Sequence, residues 1–394
     1  MLPELIVAVL AVPLLLGSGY LLALTLLSRK PSQPGACTDY PRFLLVVPAH
    51  DEAQGIARTV HSLRTLDWPP TAVRLLIVAD NCTDDTAALA RAAGAEVIER
   101  HNDSCRGKGY ALQSAYGHAL EQGWADAVVV IDADTDSDPG LLRALAPRLA
   151  AGALAIQVFY GVRNPLASWR TRLLSIALAL FHRVRGRARE RLGVSCGLRG
   201  NGMCFAVPVL EQVPHQAYSL VEDLEYGLAL GRAGIRVWYV DEVSVRADMV
   251  SYGAAARSQR QRWEGGRLQF ARAQGVPLLR EALRRRSGLL LDLALDVLLP
   301  PLAYLGFAAA LLGMGAGLAA WNRALDPALA ALALLPLAML LIHLARGVML
   351  SGLGARGWLD LAAAPLYLGW KLSMLLSRAP TRWIRTARED GPRL

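Results

Sequence analysis

An uncharged apolar run near the N-terminus constrains this 394-residue chain more than any other feature. Residues 5–27 carry no charged side chain, and Arg29 and Lys30 follow directly. The run exceeds the roughly 20 residues that a helix needs to cross a bilayer. A cleaved signal peptide is the alternative, but no basic residue precedes the run and it is longer than the usual apolar core of such peptides. We therefore predict an uncleaved transmembrane anchor over residues 1–30, with the following domain in the cytosol.

The remaining apolar excess lies near the other end of the chain. Hydrophobic residues make up 54% of the sequence and charged residues 19%, and the excess falls in the first 27 residues and after Gly288. Residues 276–298 mix Arg and Leu with Asp292 and Asp296, which predicts an interfacial amphipathic helix ended by two prolines. Two spanning helices are predicted next, at 302–320 and 328–345.

The C-terminal stretch 357–377 is apolar but contains Asp360, Pro365 and Lys371. If it spanned the membrane, the Arg-rich tail would be outside, so we predict that it lies at the interface. Residues 276–394 thus form interfacial helices, about two transmembrane helices and a basic cytosolic tail.

The net charge of +9 is concentrated beside the apolar segments. Arginines in such positions follow the positive-inside rule for cytosolic flanks of membrane helices. The charge therefore indicates a multi-pass protein of the cell (inner) membrane rather than a nucleic-acid-binding protein. The five cysteines form no C-x-x-C pair, which argues against a zinc site or a disulfide framework and fits a reducing cytosol.

Between the apolar ends, the sequence alternates between two kinds of segment. Short β-rich runs occur at 43–48, 74–79, 95–99 and 127–132, and helix-like stretches at 54–66, 84–93 and 108–122. Such alternation predicts a doubly wound sheet with parallel strands. A Gly-rich turn, a helix from Val221, a strand at 235–245 and a helix around 253–272 complete a domain over 40–275. Ligands of these sheets bind beyond the carboxyl ends of the strands, where several polar residues fall.

Asp132 and Asp134 follow the strand 127–132. Two carboxylates at positions i and i+2 can turn toward one divalent cation, which prefers oxygen ligands and bound phosphates. A solvated acidic turn is the alternative, because Asp136 and Asp138 follow closely.

Two further strand-end signals precede this pair. Asp80 can bind a base or a ribose, although the residues after it could simply cap a helix. In RGKGYAL (106–112), two glycines let Lys108 and the backbone approach an anion, but the spacing is not that of a P-loop. A plain surface loop is the alternative.

Two signals lie in the second half of the domain. Glu222 and Asp223 open a helix, where acidic residues often serve only the helix dipole, but one could act as a general base. Gln259, Arg262 and Trp263 lie within about one helical turn of each other, so that Arg262 could hold a phosphate and Trp263 a sugar ring. A basic amphipathic helix on the membrane surface is the alternative.

The order of these motifs resembles glycosyltransferase family 2, in particular its membrane-bound group with cellulose, hyaluronan and poly-N-acetylglucosamine synthases and ceramide glucosyltransferases. The resemblance spans about residues 40–275 and extends weakly to the stretch 383–386. It implies a GT-A-like α/β fold, a doubly wound mixed sheet, and an inverting transfer from a UDP-sugar. The motifs that carry it are PAHDE (48–52), Asp80, DAD (132–134), GNG (200–202), ED (222–223) and QRQRW (259–263).

The resemblance also implies site roles. Asp223 would be the catalytic base, and Asp134 with Asp132 would bind Mg²⁺ or Mn²⁺. The residues implied in donor binding are Pro48, Glu52, Asp80, Lys108, Asp132 and Arg262. Those implied in acceptor binding are Asn201, Gly202, Glu222, Gln259 and Trp263. One departure is that Val221 stands where the family has a threonine, which weakens a specific assignment to cellulose synthases.

Several alternatives remain open at this point. The acceptor is a lipid or a glycan, and the product a β-glycoside. A processive polysaccharide synthase would need an oligomer or a secretion partner, because about three spanning helices can barely enclose a sugar-wide pore. A transporter component, a non-catalytic lectin-like relative and a nucleotidyltransferase are the other classes. A transporter would place charges inside the spans, for which Asp292 and Asp296 are the only hints.

Overall fold

The computed structural model describes residues 2–35, 37, 39–249, 253–364 and 369, without the side chains of residues 2, 3 and 253–263. One eight-stranded sheet organises the central domain. Its strands are β1 (Phe43–Ala49), β2 (Val73–Asp80), β3 (Glu96–Arg100), β4 (Ala127–Val130), β5 (Thr135–Ser137), β6 (Ala155–Val162), β7 (Met203–Ala206) and β8 (Val237–Ala247).

Helices cover both faces of the sheet and extend beyond it. They are α1 (Leu2–Leu27), α2 (Ile56–Arg64), α3 (Thr86–Ala92), α4 (Lys108–Gln122), α5 (Leu141–Ala150), α6 (Trp169–Leu178), α7 (Arg185–Leu192), α8 (Val207–Gln212), α9 (Glu222–Arg232), α10 (Gly253–Arg285), α11 (Gly288–Leu298), α12 (Leu302–Trp321), α13 (Pro327–Leu350) and α14 (Ala355–Asp360). A π-helical turn, Ala179–Val184, joins α6 to α7, and short 3₁₀ turns lie at Pro70–Ala72 and Leu361–Ala363.

The sheet is mixed. The strand order is β3-β2-β1-β4-β7-β6-β8-β5. The first four strands are parallel, as the alternation of segments predicted. Strand β7 is antiparallel to both of its neighbours, β8 is parallel to β6, and β5 is antiparallel to β8. The periodicity of the sequence does not predict how β5 to β8 pair, because these strands pair with partners distant in sequence.

The centre of the sheet is buried on both faces. Strand β4 has no exposed residue, and in β1 only Pro48 is partly exposed. Apolar side chains on one face pack against α2 and α5, and those on the other against α4 and α9. Runs of apolar residues without alternation are typical of such doubly covered strands. Because β1, β2 and β4 are parallel, their carboxyl ends meet at one edge of the sheet, as predicted.

Three described helices are long and apolar enough to cross a membrane, over Glu4–Leu27, Leu302–Trp321 and Pro327–Leu350. They pack against one another through small clusters that include Leu21 and Ala309. Much of their outer surface is apolar; Leu16, for example, is 70% exposed. Large exposed apolar surfaces are unusual on proteins surrounded by water, which indicates association with a membrane.

The segment 276–298 differs from the single interfacial helix that we predicted. Helix α10 continues to Arg285, and Ser287 caps a separate helix α11 by accepting a hydrogen bond from Leu290 N. Asp292 and Asp296 of α11 are buried rather than turned toward water. The amphipathic pattern did not show this, because the arginines that pair with these carboxylates lie elsewhere in the chain.

Predictions for the last part of the chain lie mostly outside the described residues. This holds for 365–368 and 370–394, and thus for most of 357–377, the basic tail and the stretch 383–386. Within the described part, Asp360 forms an ion pair with Arg172 of α6, with Nε and Oδ2 2.6 Å apart. All five cysteines are free thiols.

Candidate active site

The start of α4 brings Lys108 to the carboxyl edge of the sheet. The next residue, Gly109, lies against the backbone of the 213–221 loop, where an added Cβ would be 2.1 Å from the carbonyl oxygen of Ala217. Only glycine permits this approach. The glycine at position 109 thus has a structural cause, in addition to the anion contact that the sequence indicated.

Lys108 forms ion pairs with two carboxylates from different parts of the chain, and a third carboxylate, Asp223, lies nearby. Its Nζ lies 2.5 Å from Asp132 Oδ1 and 3.8 Å from Glu222 Oε1, and it also donates to the carbonyl of Gly200. A Cβ added at Gly200 would lie 3.6 Å from Asp223 Oδ2 and 3.7 Å from Lys108 Nζ. We call Lys108, Asp132, Glu222 and Asp223 the sheet-edge cluster.

Burial changes the acid–base chemistry of the sheet-edge cluster. Burial raises the pKa of Glu222 to about 7; Lys108 opposes the rise and Asp223 adds to it. Burial also raises the pKa of Asp223, again opposed by Lys108. Burial alone would lower the pKa of Lys108, but Asp132 and Glu222 outweigh it and raise that pKa. Lys108 therefore stays charged, and the two acids are stronger bases than exposed carboxylates.

The loop after β4 carries Asp132 and Asp134, and a buried asparagine holds it. The backbone N–H of Asp132 donates to Asn201 Oδ1 at 3.1 Å, and Asn201 Nδ2 donates to Thr135 Oγ1 at 2.7 Å. Thr135 Oγ1 lies 3.4 Å from Asp134 Oδ1. Asn201 thus fixes the loop that presents both aspartates.

The structure places Asn201 and Gly202 differently from the acceptor-binding role that we predicted. Asn201 is fully buried, and both ends of its amide contact the aspartate loop. Gly202 has a φ of +70°, and an added Cβ would be 2.7 Å from Val245 Cγ2. Both residues support the site from inside the protein. Sequence order placed them near the site but could not show which way they face.

Asp80 ends β2 and lies almost entirely buried. Arg100 is its register partner on the neighbouring strand β3, and Arg100 Nη1 lies 2.5 Å from Asp80 Oδ1. The guanidinium of Arg100 also lies 5.5 Å from the ring centre of Tyr110, in the first turn of α4. Arg100 therefore links the residue predicted to bind the nucleoside to the helix that carries Lys108.

The end of β1 lies beside this pair. His50 Nδ1 is 2.7 Å from the carbonyl oxygen of Asp80, and the backbone N–H of Glu52 donates to Thr86 Oγ1 at 2.7 Å. Pro48 lies within β1 opposite Val78 of β2. The predicted donor-binding residues Pro48, Glu52 and Asp80 are thus brought together at one corner of the sheet edge.

Gln259, Arg262 and Trp263 lie on the first turns of α10. Their side chains are outside the described part of the chain, so the roles predicted for them stay predictions. Downstream, Gly266 of the same helix packs on Val221, where an added Cβ would be 2.8 Å from Val221 Cγ1. Helix α10 therefore packs directly against the residue that precedes Glu222 and Asp223.

Sequence reasoning missed Arg100 and Arg199. Arg100 could have been found from its place at the end of a strand, once the pairing of β2 with β3 was known. Arg199 directly precedes the glycine whose carbonyl accepts from Lys108, and a single buried arginine in a Gly-rich turn gives no signal in sequence.

Comparison with known proteins agrees with this geometry. Residues 41–266 match the family described as "Glycosyltransferase like family 2". Beta-monoglucosyldiacylglycerol synthase of Synechocystis is 30% identical over 235 residues, which are 58% of this chain and 48% of that protein. Glucomannan 4-beta-mannosyltransferase 7 of Arabidopsis thaliana is 21% identical over 61% of this chain and 45% of that protein. The chain spans about half the length of these relatives.

Among solved structures, the mannosyltransferase PcManGT of Pyrobaculum calidifontis, in complex with GDP-Man and Mn²⁺, superimposes with a TM-score of 0.54. The match covers 88% of this chain and 98% of that one at 19% identity. At this identity the likeness shows the fold alone, and it confirms the GT-A-like α/β architecture.

Proposed function

The chain belongs to the glycosyltransferase family 2-like proteins, and from that premise we propose that it is an inverting, metal-dependent membrane enzyme. It transfers a sugar from a UDP-sugar donor to the hydroxyl of a lipid acceptor and forms a β-glycosidic bond. Its domain over 40–275 works on the cytosolic side of the cell (inner) membrane, as the Arg29–Lys30 flank of the anchor indicates.

The sheet-edge cluster is the observation that carries this proposal. It combines one ammonium group with three carboxylates at the carboxyl edge of the sheet, where ligands of such folds bind. Asp134 adds a fourth carboxylate from the same loop as Asp132. This donor set consists of hard oxygen ligands, which fits Mg²⁺ or Mn²⁺ beside a diphosphate. A bound ion of this kind would neutralise the diphosphate of the leaving group.

Lys108 is the protein's own cation at this place. Burial holds it close to Asp132 and Glu222, and it can exchange these partners for a phosphate oxygen without leaving the site. A fixed positive charge near the diphosphate stabilises the negative charge that develops as the bond to the sugar breaks. Asp80, held by Arg100, and Glu52 lie at the corner of the edge where the nucleoside would bind.

Asp223 serves as the general base. The acceptor oxygen attacks the anomeric carbon, its proton passes to Asp223, and the bond from that carbon to the diphosphate oxygen breaks, releasing UDP. Burial raises the pKa of Asp223, and Lys108 opposes the rise; a raised pKa makes the carboxylate a better proton acceptor. A single displacement inverts the configuration, so that an α-linked donor gives a β-glycoside.

The membrane helices support a lipid acceptor. Three described helices can span a bilayer, and Tyr304 of α12 donates a hydrogen bond to Glu264 of α10. Three helices scarcely enclose a water-filled path for a polysaccharide. A lipid hydroxyl, in contrast, reaches the cytosolic surface without such a path. The similarity to a monoglucosyldiacylglycerol synthase is compatible with this choice.

The test is a matrix of donors and acceptors. Purified protein in detergent receives UDP-glucose, UDP-galactose, UDP-N-acetylglucosamine or GDP-mannose with Mn²⁺ or Mg²⁺. Diacylglycerol, ceramide or a soluble oligosaccharide serves as acceptor. We expect release of UDP that depends on a lipid acceptor, and a lipid product larger by one or a few sugars in mass spectrometry.

Two results would count against the proposal. Release of nucleotide only with GDP-mannose would make the donor assignment wrong. Long, lipid-free polysaccharide from a protein shown to be monomeric would favour the alternative, a processive synthase. Because the assay measures nucleotide release and product size separately, the donor and the acceptor are tested independently.

A further inference from the structure

A second charged cluster lies beneath the active site, between the sheet and the membrane helices. We call it the arginine cluster. It consists of Arg185, Arg189, Arg199 and Arg267 with Asp292 and Asp296. Arg267 has a side chain that is 19% exposed, and the other five side chains are about nine-tenths buried or more. Buried ions are expensive unless each is paired, so the geometry of the pairing matters.

Asp296 is the centre of the arginine cluster. Its Oδ1 lies 3.0 Å from Arg185 Nη1 and 3.0 Å from Arg189 Nη2. Its Oδ2 lies 3.5 Å from Arg267 Nη2 and 3.9 Å from Arg199 Nη1. Burial alone would raise the pKa of Asp296, but these four guanidinium groups hold it well below its usual range. Asp296 is therefore a permanent negative charge shared by arginines of three chain segments.

One of these segments is the loop of the active site. The backbone N–H of Arg199 donates to Gln157 Oε1 at 2.8 Å, and its guanidinium lies 4.0 Å from the ring centre of Phe181. The two residues that follow are Gly200, whose carbonyl accepts from Lys108, and Asn201, which holds the aspartate loop. The position of Arg199 thus sets the position of both contacts.

The second segment is α10. Arg267 donates to the backbone carbonyl of Asp296 in addition to its ion pair. It lies four residues after Trp263, which is about 6 Å along the helix axis. The anchor at Arg267 therefore fixes the register of the helix that carries Gln259, Arg262 and Trp263.

Asp296 is also connected to the predicted membrane helices α1 and α12. Helix α11 ends at Leu298, and the spanning helix α12 begins at Leu302. Asp292, one turn before Asp296, contacts Arg189 and accepts a hydrogen bond from Tyr20 of α1 at 2.7 Å. Asp296 thus lies where the start of α12, the Gly200 loop and α10 meet.

We propose that Asp296 is a positioning residue for the transfer reaction. Through Arg199 it places the Gly200 loop against Lys108, and through Arg267 it sets the register of α10, so that the active site is assembled only when α11 and α12 are seated. This inference rests on the proposed glycosyl transfer. It concerns the rate of the chemical step rather than the affinity for the donor, because Asp296 contacts no residue assigned to the nucleoside.

The first experiment compares two isosteric substitutions one helical turn apart. Asp296→Asn removes the charge that positions Arg199 and Arg267. Asp292→Asn removes a charge whose side-chain partners, among the described residues, are Arg189 and Tyr20. Misplacement of reacting groups by about 1 Å can cost 100-fold in rate. We expect kcat to fall about 10- to 100-fold in Asp296→Asn with donor KM within about threefold of wild type. Asp292→Asn should keep kcat within about threefold even if its Tm falls as much.

A conservative change sharpens this comparison. Asp296→Glu keeps the charge, so it should recover most of the kcat that Asp296→Asn loses. Equal kcat losses in the two Asn variants, or an unchanged kcat in Asp296→Asn, would overturn the proposal. If wild type itself transfers no sugar, the proposed function has failed instead, and the two failures are thereby distinguished.

A second pair of variants tests the proposal if Asp296→Asn does not fold. Arg199→Gln and Arg185→Gln each remove one guanidinium beside Asp296 and Phe181. Of these two arginines, only Arg199 directly precedes Gly200 in the sequence. We expect Arg199→Gln to lose at least about tenfold in kcat and Arg185→Gln less than about threefold. Equal losses in this pair would show that the cluster acts only through stability.

Discussion

The two charged clusters of this enzyme differ in the balance of their charges. Among the described residues, the sheet-edge cluster has one cation and three carboxylates, and the arginine cluster has four cations and two carboxylates. The first lies at the carboxyl edge of the sheet, where we propose that a divalent ion and a diphosphate bind. The second is closed, and its members contact each other. We infer that substitutions in the sheet-edge cluster change chemistry with little change in folding. Substitutions in the arginine cluster lower stability, and those of Asp296 and Arg199 lower kcat as well.

The largest effect is expected from loss of the metal. Asp134→Ala should reduce turnover to background, and excess chelator should do the same to wild type, because the diphosphate would leave without charge neutralisation. The measurement is UDP release with and without added Mn²⁺.

Asp138 provides the matched control for Asp134. It lies in the same acidic stretch but accepts hydrogen bonds from Ser244 N and Oγ, both at 2.8 Å. Asp138→Asn should therefore remain active and metal-dependent. Full activity of wild type in excess chelator would show that the reaction does not need a divalent metal.

The next largest effect concerns the base. Asp223→Asn should keep the fold and donor binding but lose roughly 10²–10⁴ in kcat, the usual contribution of a general base. Glu222→Gln, one residue away and equally buried, should lose much less. Stopped-time assays with thermal unfolding as a folding check would measure both. A crippled Glu222→Gln beside a nearly normal Asp223→Asn would mean that Glu222 is the base.

A smaller effect is expected at the nucleoside corner. Arg100→Leu leaves the buried Asp80 without its ion-pair partner, and a hydrogen bond to a charged group contributes about 1.5–3 kcal/mol. Donor KM should rise about tenfold or more, since 1.4 kcal/mol corresponds to tenfold, with a smaller change in kcat. Arg91→Leu, which breaks the exposed pair with Glu99, should leave donor KM unchanged. Equal donor KM values in Arg100→Leu and Arg91→Leu would show that Asp80 takes no part in donor binding.

The smallest effect is a shift in pH dependence. A base must be ionised to work, so activity falls as pH drops through its pKa. Burial raises the pKa of Glu222 to about 7 and raises that of Asp223. The acid limb of kcat/KM should therefore lie above the pH of about 3.9 expected for an exposed aspartate. An acid limb at or below that value would show that no buried carboxylate of the sheet-edge cluster limits the reaction.

The same comparison shows what sequence could and could not predict. The parallel half of the sheet and the approach of Lys108, Asp132 and Asp223 followed from strand ends and motif order. The three long apolar helices followed from apolar length alone, and the described structure has them at nearly the predicted positions. These features depend on local patterns, which sequence displays directly.

The arginine cluster and the supports of the site could not be predicted in this way. In the sequence, Asp292 and Asp296 indicate the polar face of an amphipathic helix. In the structure they pair with Arg189 and Arg199. Asn201 looks like a binding residue until its burial is known. Each depends on pairing between segments distant in sequence, and one-dimensional periodicity carries no information about such pairing.

The stereochemistry of the product distinguishes a single displacement from a double one. The proposed reaction is one displacement at the anomeric carbon, with Asp223 as base and no covalent sugar intermediate. Proton NMR of the glycolipid isolated from the reaction with an α-linked UDP-sugar should show the large anomeric coupling of a β-glycoside for gluco-configured sugars. An α-glycoside would contradict the account, because it would require retention of configuration, which a single attack assisted by Asp223 does not give.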